Sequence, residues 1–230
     1  MKKIKVSIPD SLDEISIVKF RQINEILESK TDDIDKSFQL IQVITNLDLD
    51  SITKINEASM LKLGAAIQLM FENEYSGEIP KQFEKLKLID FEKMTLGKFI
   101  DLHNLLKDKY ENAEYILCQL FDEQEVYNGL DYKDADKFKS FSAGAYIKLF
   151  EQVAKFYHSV FEEYGLNKAE IVEDVPKTNW SSFQNKWGYY ILVANLANND
   201  VLKIDAVTKL HFREALTFNI YSQDYNRVNV

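Results

Sequence analysis

One stretch of the sequence decides the fold: Ile15-Ser16-Ile17-Val18-Lys19-Phe20, which returns as Met94-Thr95-Leu96-Gly97-Lys98-Phe99. The two copies are offset by 79 positions, counted from Lys19 to Lys98. In the first copy Ser11 or Asp13 is the expected cap of an amphipathic helix, and in the second copy the amphipathic helix is expected to begin near Thr95. The repeat therefore predicts two related amphipathic helices.

A segment in which polar and apolar residues alternate precedes each copy, at residues 3–8 and, less regularly, at residues 83–89. Alternation with a period of two indicates a half-buried β-strand. Each copy is therefore interpreted as a short strand, a polar turn and an amphipathic helix. Duplicated units of this kind are typical of scaffolds that present binding surfaces.

Further helical patterns follow the repeat in the second half of the chain. Apolar residues at helical spacing predict a long helix over residues 142–164, a strongly apolar helix over 180–195 and a last helix over 206–221. The polar stretch at residues 122–139 is interpreted as an extended excursion, and the polar tail at residues 223–230 is expected to fray.

The composition favours a helical protein. The chain has 230 residues, of which 46% are hydrophobic and 13% aromatic, and only 7 Gly and 3 Pro interrupt it. We therefore predict a mainly α (α+β) fold, with duplicated short-strand plus helix units in the amino-terminal half and a helical carboxy-terminal bundle. The expected divisions are residues 1–75, 82–165 and 178–222, with a single overall domain as the alternative.

The charge and the apolar pattern exclude several classes of protein. A net charge of −9 without a dense run of Lys and Arg argues against nucleic-acid binding. The sequence contains no run of about 18 uncharged apolar residues, so no membrane span is predicted. The amino terminus lacks the apolar core of a signal peptide. Cys118 is the only cysteine, so no intramolecular disulfide can form, and a reducing cytoplasm is the expected site of synthesis.

No residue set in the sequence specifies a reaction. The histidines at positions 103, 158 and 211 lie far apart and lack metal-ligand spacing, and the phosphate-binding glycine motifs are absent. The Ser142-Ala143-Gly144 turn lacks the glycine that a nucleophile elbow carries before its serine. The many carboxylates fall in linkers and on polar helix faces. We therefore predict no catalytic, cofactor-binding or metal-binding residues, and a protein that is not an enzyme.

Three segments are apolar on more than one helical face: residues 58–71, 142–164 and 180–196. Packing in the protein's own core is the default explanation of such helices. A chain of this size has room for about one fully enclosed helix, so three suggest that another chain covers part of this surface. The expected partner-binding residues are Leu63, Ile67, Met70, Phe150, Tyr157 and Trp187.

Several stretches together resemble a group of phage-encoded proteins that are likened to tail assembly chaperones. These are Met94–Leu102, the helix containing Phe150, Phe156-Tyr157 and Phe161, and Phe183-Gln184-Asn185-Lys186-Trp187-Gly188-Tyr189-Tyr190 followed by Leu196–Asp200. The resemblance follows a pattern from about Ile15 to Ile220 and includes no diagnostic motif. It implies a helical protein that binds the tape measure or another tail component during assembly, or that stays in the particle as a structural piece, and it carries no active-site residues.

Three functional hypotheses follow. In the first, the chain is a tail assembly chaperone in the host cytoplasm, binding a helical tail protein through apolar helix surfaces. In the second, it is a virion structural protein, such as a connector, tail or baseplate component, assembled into an oligomeric ring. The third, an enzyme of unknown type, would need a deep pocket with convergent Asp, His and Tyr side chains.

Overall fold

The computed structural model describes residues 6–122, 132–166 and 188–228 and is mainly helical, with one small sheet. The α-helices are α1 (Ile17–Glu28), α2 (Asp33–Thr45), α3 (Leu49–Ile52), α4 (Glu57–Glu72), α5 (Leu96–Leu105), α6 (Ala113–Leu120), α7 (Ala143–Glu163), α8 (Tyr189–Leu196), α9 (Ile204–Thr208) and α10 (Phe212–Val228). The strands are β1 (Gln82–Phe83), β2 (Leu86–Leu88) and β3 (Phe121–Asp122), in the antiparallel order β1-β2-β3. The mainly α prediction is confirmed.

The chain divides into two compact units, each built from separated segments. The first unit contains Met1–Pro80, Lys109–Leu117 and Lys133–Glu151, and the second contains Lys81–Asp108, Cys118–Tyr132 and Gln152–Val230. The boundaries expected from the sequence, at residues 1–75, 82–165 and 178–222, instead follow the order of the chain. Periodicity reports only local structure, so it does not reveal which distant segments pack together.

In the first unit, a two-residue antiparallel bridge joins the starts of α1 and α7. The Ile17 N–H donates to the Phe141 carbonyl at 2.8 Å, and the Ala143 N–H donates to the Ile15 carbonyl at 2.7 Å. Between these bonds lies Ser16, whose Oγ accepts from the Lys19 N–H at 3.3 Å and caps α1. The bridge satisfies backbone groups at the starts of both helices, which have no partner inside the helix.

The second unit repeats this bridge at the starts of α5 and α10. The Leu96 N–H donates to the Leu210 carbonyl at 2.7 Å, and the Phe212 N–H donates to the Met94 carbonyl at 3.2 Å. Residues 94 and 96 are the repeat equivalents of 15 and 17, and residues 210 and 212 lie 69 positions after 141 and 143. Each unit therefore contains two helices with the same start, so the repeat has four members.

Within the described residues, the strand part of the repeat is not shared between the copies. Residues 6–9 form no strand, and residues 3–5 lie outside the described residues. In the second copy the segment folds back on itself, because Glu84 adopts a left-handed conformation (φ 52°) and turns β1 into β2. The prediction of two equivalent strands is therefore wrong for the described part of the chain.

The core of the first unit is formed by the inner faces of α1, α2 and α4. Buried aliphatic side chains come from all three helices, among them Ile23, Ile44 and Ile67. Lys19 completes the packing of α1 on α2, with Nζ 3.5 Å from the Ile44 carbonyl and 3.3 Å from Asn46 Oδ1 at the carboxyl end of α2. A cation at this end complements the partial negative charge of the helix dipole.

The core of the second unit is aromatic and is centred on Phe99 of α5. The Phe99 ring stacks on Phe212 of α10 at a centroid distance of 4.9 Å and lies 4.7 Å from the Tyr157 ring. The buried Tyr157 hydroxyl donates to the Phe99 carbonyl at 2.6 Å, so its polar end is satisfied. Lys98, the repeat equivalent of Lys19, pairs with Asp122 at 2.8 Å.

Candidate protein-binding surfaces

Most of the partner-binding residues expected from the sequence lie in the interior. Leu63, Ile67 and Met70 are 7%, 8% and 1% exposed, and Tyr157 is 4% exposed. These four predictions are corrected, because the side chains already fill the cores of their own units. The sequence showed that α4 is apolar nearly all round, but periodicity alone does not say which face turns inward.

Phe150 and Trp187 are the remaining expected anchors. Phe150 is half-buried on α7, and Lys109 Nζ lies 4.9 Å from the centre of its ring, in a cation–π arrangement. Trp187 lies outside the described residues. The expected anchors therefore do not form one exposed surface within the described part of the chain.

The opposite side of α4 presents a second apolar face, hereafter the α4 face. Leu61 and Leu69 are 70% and 54% exposed, and the exposed small residues Gly64 and Ala65 lie between them. Residues three, four and eight positions apart lie on one side of a helix, so these side chains form a continuous strip. The expectation that α4 is apolar on two faces holds, although the exposed face is not the one that contains Leu63, Ile67 and Met70.

A second exposed apolar surface, the α10 groove, lies in the second unit. It is an open depression lined by Leu196, Leu210, Glu214, Ala215 and Phe218. Leu210 is 43% and Phe218 57% exposed, which is unusual for large apolar side chains that lie so close together.

The aromatic surface continues along α10 beyond the groove. The rings of Phe218 and Tyr221 lie 6.2 Å apart, and those of Tyr221 and Tyr225 lie 6.0 Å apart and are stacked. Both tyrosines are more than half exposed. The sequence had predicted that the helix ends near residue 221 and that the tail frays, but α10 runs to Val228 and carries this ladder of rings.

The internal repeat shows that this surface is exceptional. The positions equivalent to Leu210 and Phe218 in the first unit are Phe141 and Leu149, which are 2% and 0% exposed. The position equivalent to Glu214 is Ala145, which is 4% exposed. The same helical strip is thus covered in the first unit and open in the second, where it also carries a carboxylate.

Polar contacts hold the beginning of α10 in place. Arg213 donates to both carboxylate oxygens of Glu92, at 2.7 and 3.1 Å, and also to Glu163. These carboxylates raise the pKa of the Arg213 guanidinium, which stays charged. His211 Nε2 lies 2.6 Å from the Glu92 carbonyl oxygen, and its Nδ1 accepts from the Arg213 N–H.

Glu214 is the charged member of the groove lining. Within residues 6–122, 132–166 and 188–228 its carboxylate has no hydrogen-bond or ion-pair partner. An anion beside exposed apolar side chains selects for a ligand that is apolar and carries a positive charge.

His103 is the histidine with the least ordinary environment. It lies against the rings of Tyr157, Phe161 and Tyr189 at centroid distances of 5.3, 5.0 and 5.4 Å. Its Nδ1 is buried and has no partner in the described part of the chain, and burial lowers the pKa of the imidazole. This is a packing environment at the edge of the aromatic core.

No protein-family model matches the sequence, and no curated protein or solved structure matches it. Among the described helices, none combines the length and the apolar character that crossing a bilayer requires. The described residues also contain no cluster of three or more His, Cys, Asp or Glu side chains placed to hold a metal ion. The features of the described residues that bear on function are the two exposed apolar surfaces, the α4 face and the α10 groove.

Proposed function

We propose that this chain is a tail assembly chaperone-type protein that binds a helical segment of another phage tail protein, of the tape measure kind, in the α10 groove. The observation that carries the proposal is the open strip of Leu210, Glu214 and Phe218, whose repeat equivalents are buried. The resemblance of the sequence to phage tail-region proteins supplies the class of partner.

The shape of the groove favours a helix as the ligand. Its apolar lining comes from the end of α8, from the segment before α10 and from the outer side of α10. An amphipathic helix laid into such a groove contributes anchors at positions i, i+3, i+4 and i+7. The rings of Tyr221 and Tyr225 extend the contact, and a Lys or Arg on the partner would pair with Glu214.

The energy available in the groove suits a reversible complex. Complete burial of a leucine or phenylalanine side chain is worth about 1.5–3 kcal/mol, and about half of this remains for side chains that are already half covered. The four exposed anchors on this surface, Leu210, Phe218, Tyr221 and Tyr225, thus supply roughly 3–6 kcal/mol, comparable with the lower estimates of the association cost of about 4–15 kcal/mol. Such a surface can hold a partner during assembly and release it, as a chaperone must.

The test is co-expression of the full chain with a helical tape-measure segment and measurement of the soluble yield of that segment. The wild-type chain is expected to raise the yield, and Phe218→Glu and Leu210→Glu are expected to abolish the increase, because a carboxylate replaces an apolar anchor. Ile34→Glu is the matched control, since Ile34 is 70% exposed on α2 in the first unit.

Retention of the full increase by both groove variants would contradict the proposal. Mass spectrometry of purified particles separates the alternative hypothesis of a virion structural component. A chaperone is expected to be absent from particles, whereas a structural component would be present at a fixed copy number.

A further inference from the structure

We propose that two copies of this chain associate through the α4 face, with the two α4 helices antiparallel across a two-fold axis that passes at Ala65. This surface belongs to the first unit and shares no residue with the α10 groove, so the inference goes beyond the proposed function. The occupant of the α4 face is therefore a second copy of the same helix.

The spacing of the exposed leucines is self-complementary. Leu61 lies four residues before Ala65 and Leu69 lies four residues after it, and all three are exposed on one side of α4. In an antiparallel pair centred on Ala65, Leu61 of one copy lies beside Leu69 of the other, and the same contact occurs twice. A two-fold interface requires this property, because one patch must match itself.

The centre of the strip allows a second helix to approach closely. Glycine is unfavourable in a helix interior, yet a Cβ added at Gly64 would meet nothing within 4 Å. No contact with the described part of the chain therefore requires glycine at this position. Next to Ala65, the absent side chain leaves space that the backbone or a leucine of another helix can fill.

The charges beside the strip also match across the two-fold axis. Lys62 is exposed and has no ion pair or hydrogen bond among the described residues, while Glu72 accepts from Gln68 Nε2 at 2.7 Å on the same helix. In the antiparallel pair, Lys62 of one copy lies opposite Gln68 of the other and within one helical turn of its Glu72. Two equivalent pairs of opposite charge therefore flank the apolar contact and favour this register.

The experiment is disulfide mapping of the full-length chain. Ala65→Cys places two thiols at the proposed axis, within the Cα separation of about 7 Å that a disulfide allows. Ala58→Cys is the matched control on the same helix, because the two introduced cysteines would be about 21 Å apart at 1.5 Å per residue. The native Cys118 is buried, and the wild-type chain, which has only this cysteine, measures the cross-linking that occurs without an introduced cysteine.

Mild oxidation followed by non-reducing electrophoresis is expected to convert Ala65→Cys to a covalent dimer at least ten times faster than Ala58→Cys. Light scattering after size exclusion is expected to show a dimer for the wild-type chain and a monomer for Leu61→Glu. The single variant Lys62→Glu is expected to weaken the dimer, and the double variant Lys62→Glu/Glu72→Lys is expected to restore it.

A wild-type chain that remains monomeric at all accessible concentrations would overturn the proposal, whether the face is left open or covered by the same chain. Equal cross-linking of the two cysteine variants, or no rescue by the charge exchange, would overturn the antiparallel register. Circular dichroism checks that each variant is folded. Phe218→Glu is expected to leave the dimer intact, so failure here is distinct from failure of the α10 groove as a partner site.

Discussion

The substitution Gly144→Ala tests how the start of α7 is packed. In most helix interiors Ala is more stable than Gly by about 1 kcal/mol. At position 144, however, an added Cβ would collide with Oδ1 of Asp13 and would lie 3.2 Å from the Asp13 backbone nitrogen. We therefore expect the substitution to destabilise the protein.

The magnitude follows from what the Asp13 carboxylate holds. It accepts from the Ser76 N–H at 2.7 Å, from the Ser76 hydroxyl at 2.8 Å and from the Gly77 N–H at 3.1 Å. A hydrogen bond to a charged acceptor contributes about 1.5–3 kcal/mol, with less expected for the exposed bonds to Ser76. Displacing Oδ1 weakens about one such bond, so after the gain in helix propensity the net loss is about 0.5–2 kcal/mol.

The assay is urea unfolding, in which Gly144→Ala should lower the midpoint without changing the slope. In an Asp13→Ala background the obstructing carboxylate is gone, so Gly144→Ala should cost less or become stabilising, and the double-mutant cycle measures this coupling. Gly64→Ala, measured at concentrations where the chain is monomeric, should stabilise by about 1 kcal/mol because nothing obstructs its Cβ. If Gly144→Ala were as stable as wild type and showed no coupling to Asp13, the packing argument would be refuted.

Two further predictions use the repeat as a guide to substitution. Burial lowers the pKa of His103 below the ordinary value of 6.5, so its contribution to stability is complete above that pH and is lost as the pH falls through the folded pKa. His103→Asn introduces the residue type found at the equivalent position, Asn24, and should remove the part of the stability loss between pH 7.5 and 5 that is due to His103. Unfolding free energies measured at the two pH values check this, and an unchanged pH profile would refute the assignment. Lys98→Met breaks an ion pair with Asp122 in which the Lys98 side chain is only 8% exposed, whereas Lys19→Met removes a more exposed cation from a helix end. In chemical denaturation we expect Lys98→Met to lower the free energy of unfolding by roughly 2 kcal/mol and Lys19→Met to lower it by less than about 1 kcal/mol. The reverse order would contradict the packing described for the two units.

The helices were largely predictable from the sequence. The start of α5 near Thr95 and the end of the long helix near residue 164 were expected, and Gly165 has a positive φ of 64°. The cap of α1 was expected at Ser11 or Asp13, but α1 begins after Ser16, and Ser11 caps a separate short 3₁₀ helix, Leu12–Glu14. Caps and amphipathic periodicity act within one or two turns, so they are encoded locally.

The errors occurred where distant segments decide the local structure. The last helix was expected as one element over residues 206–221, but the bridge through His211 divides the chain there into α9 and α10. The polar excursion at residues 122–139 was expected to be extended, yet Ala135–Ser140 forms a 3₁₀ helix whose Phe138 is fully buried. In both places a contact with a segment distant in sequence determines the local conformation, and no local sequence pattern predicts that contact.

For the binding surfaces, the sequence contained one usable signal that was missed. Residues 210–215 correspond to residues 141–146, with apolar residues at the first and third positions and a possible capping residue between them. At the fifth position the first segment has Ala145 and the second has Glu214, so the comparison marks Glu214 as a charged residue at an otherwise apolar position. No comparable signal separates Leu61 from Leu63 on α4, because both are leucines on a helix that is apolar nearly all round.

By itself the sequence determined that the chain is mainly helical and that one capped helix start recurs, because capping and periodicity depend on neighbouring residues. Only the tertiary structure decided which face of α4 is buried and that the strip on α10 is open while its equivalent on α7 is covered. The physical reason is that burial depends on what else lies against a helix, and apolar side chains are equally suited to a protein's own core and to the surface of a partner.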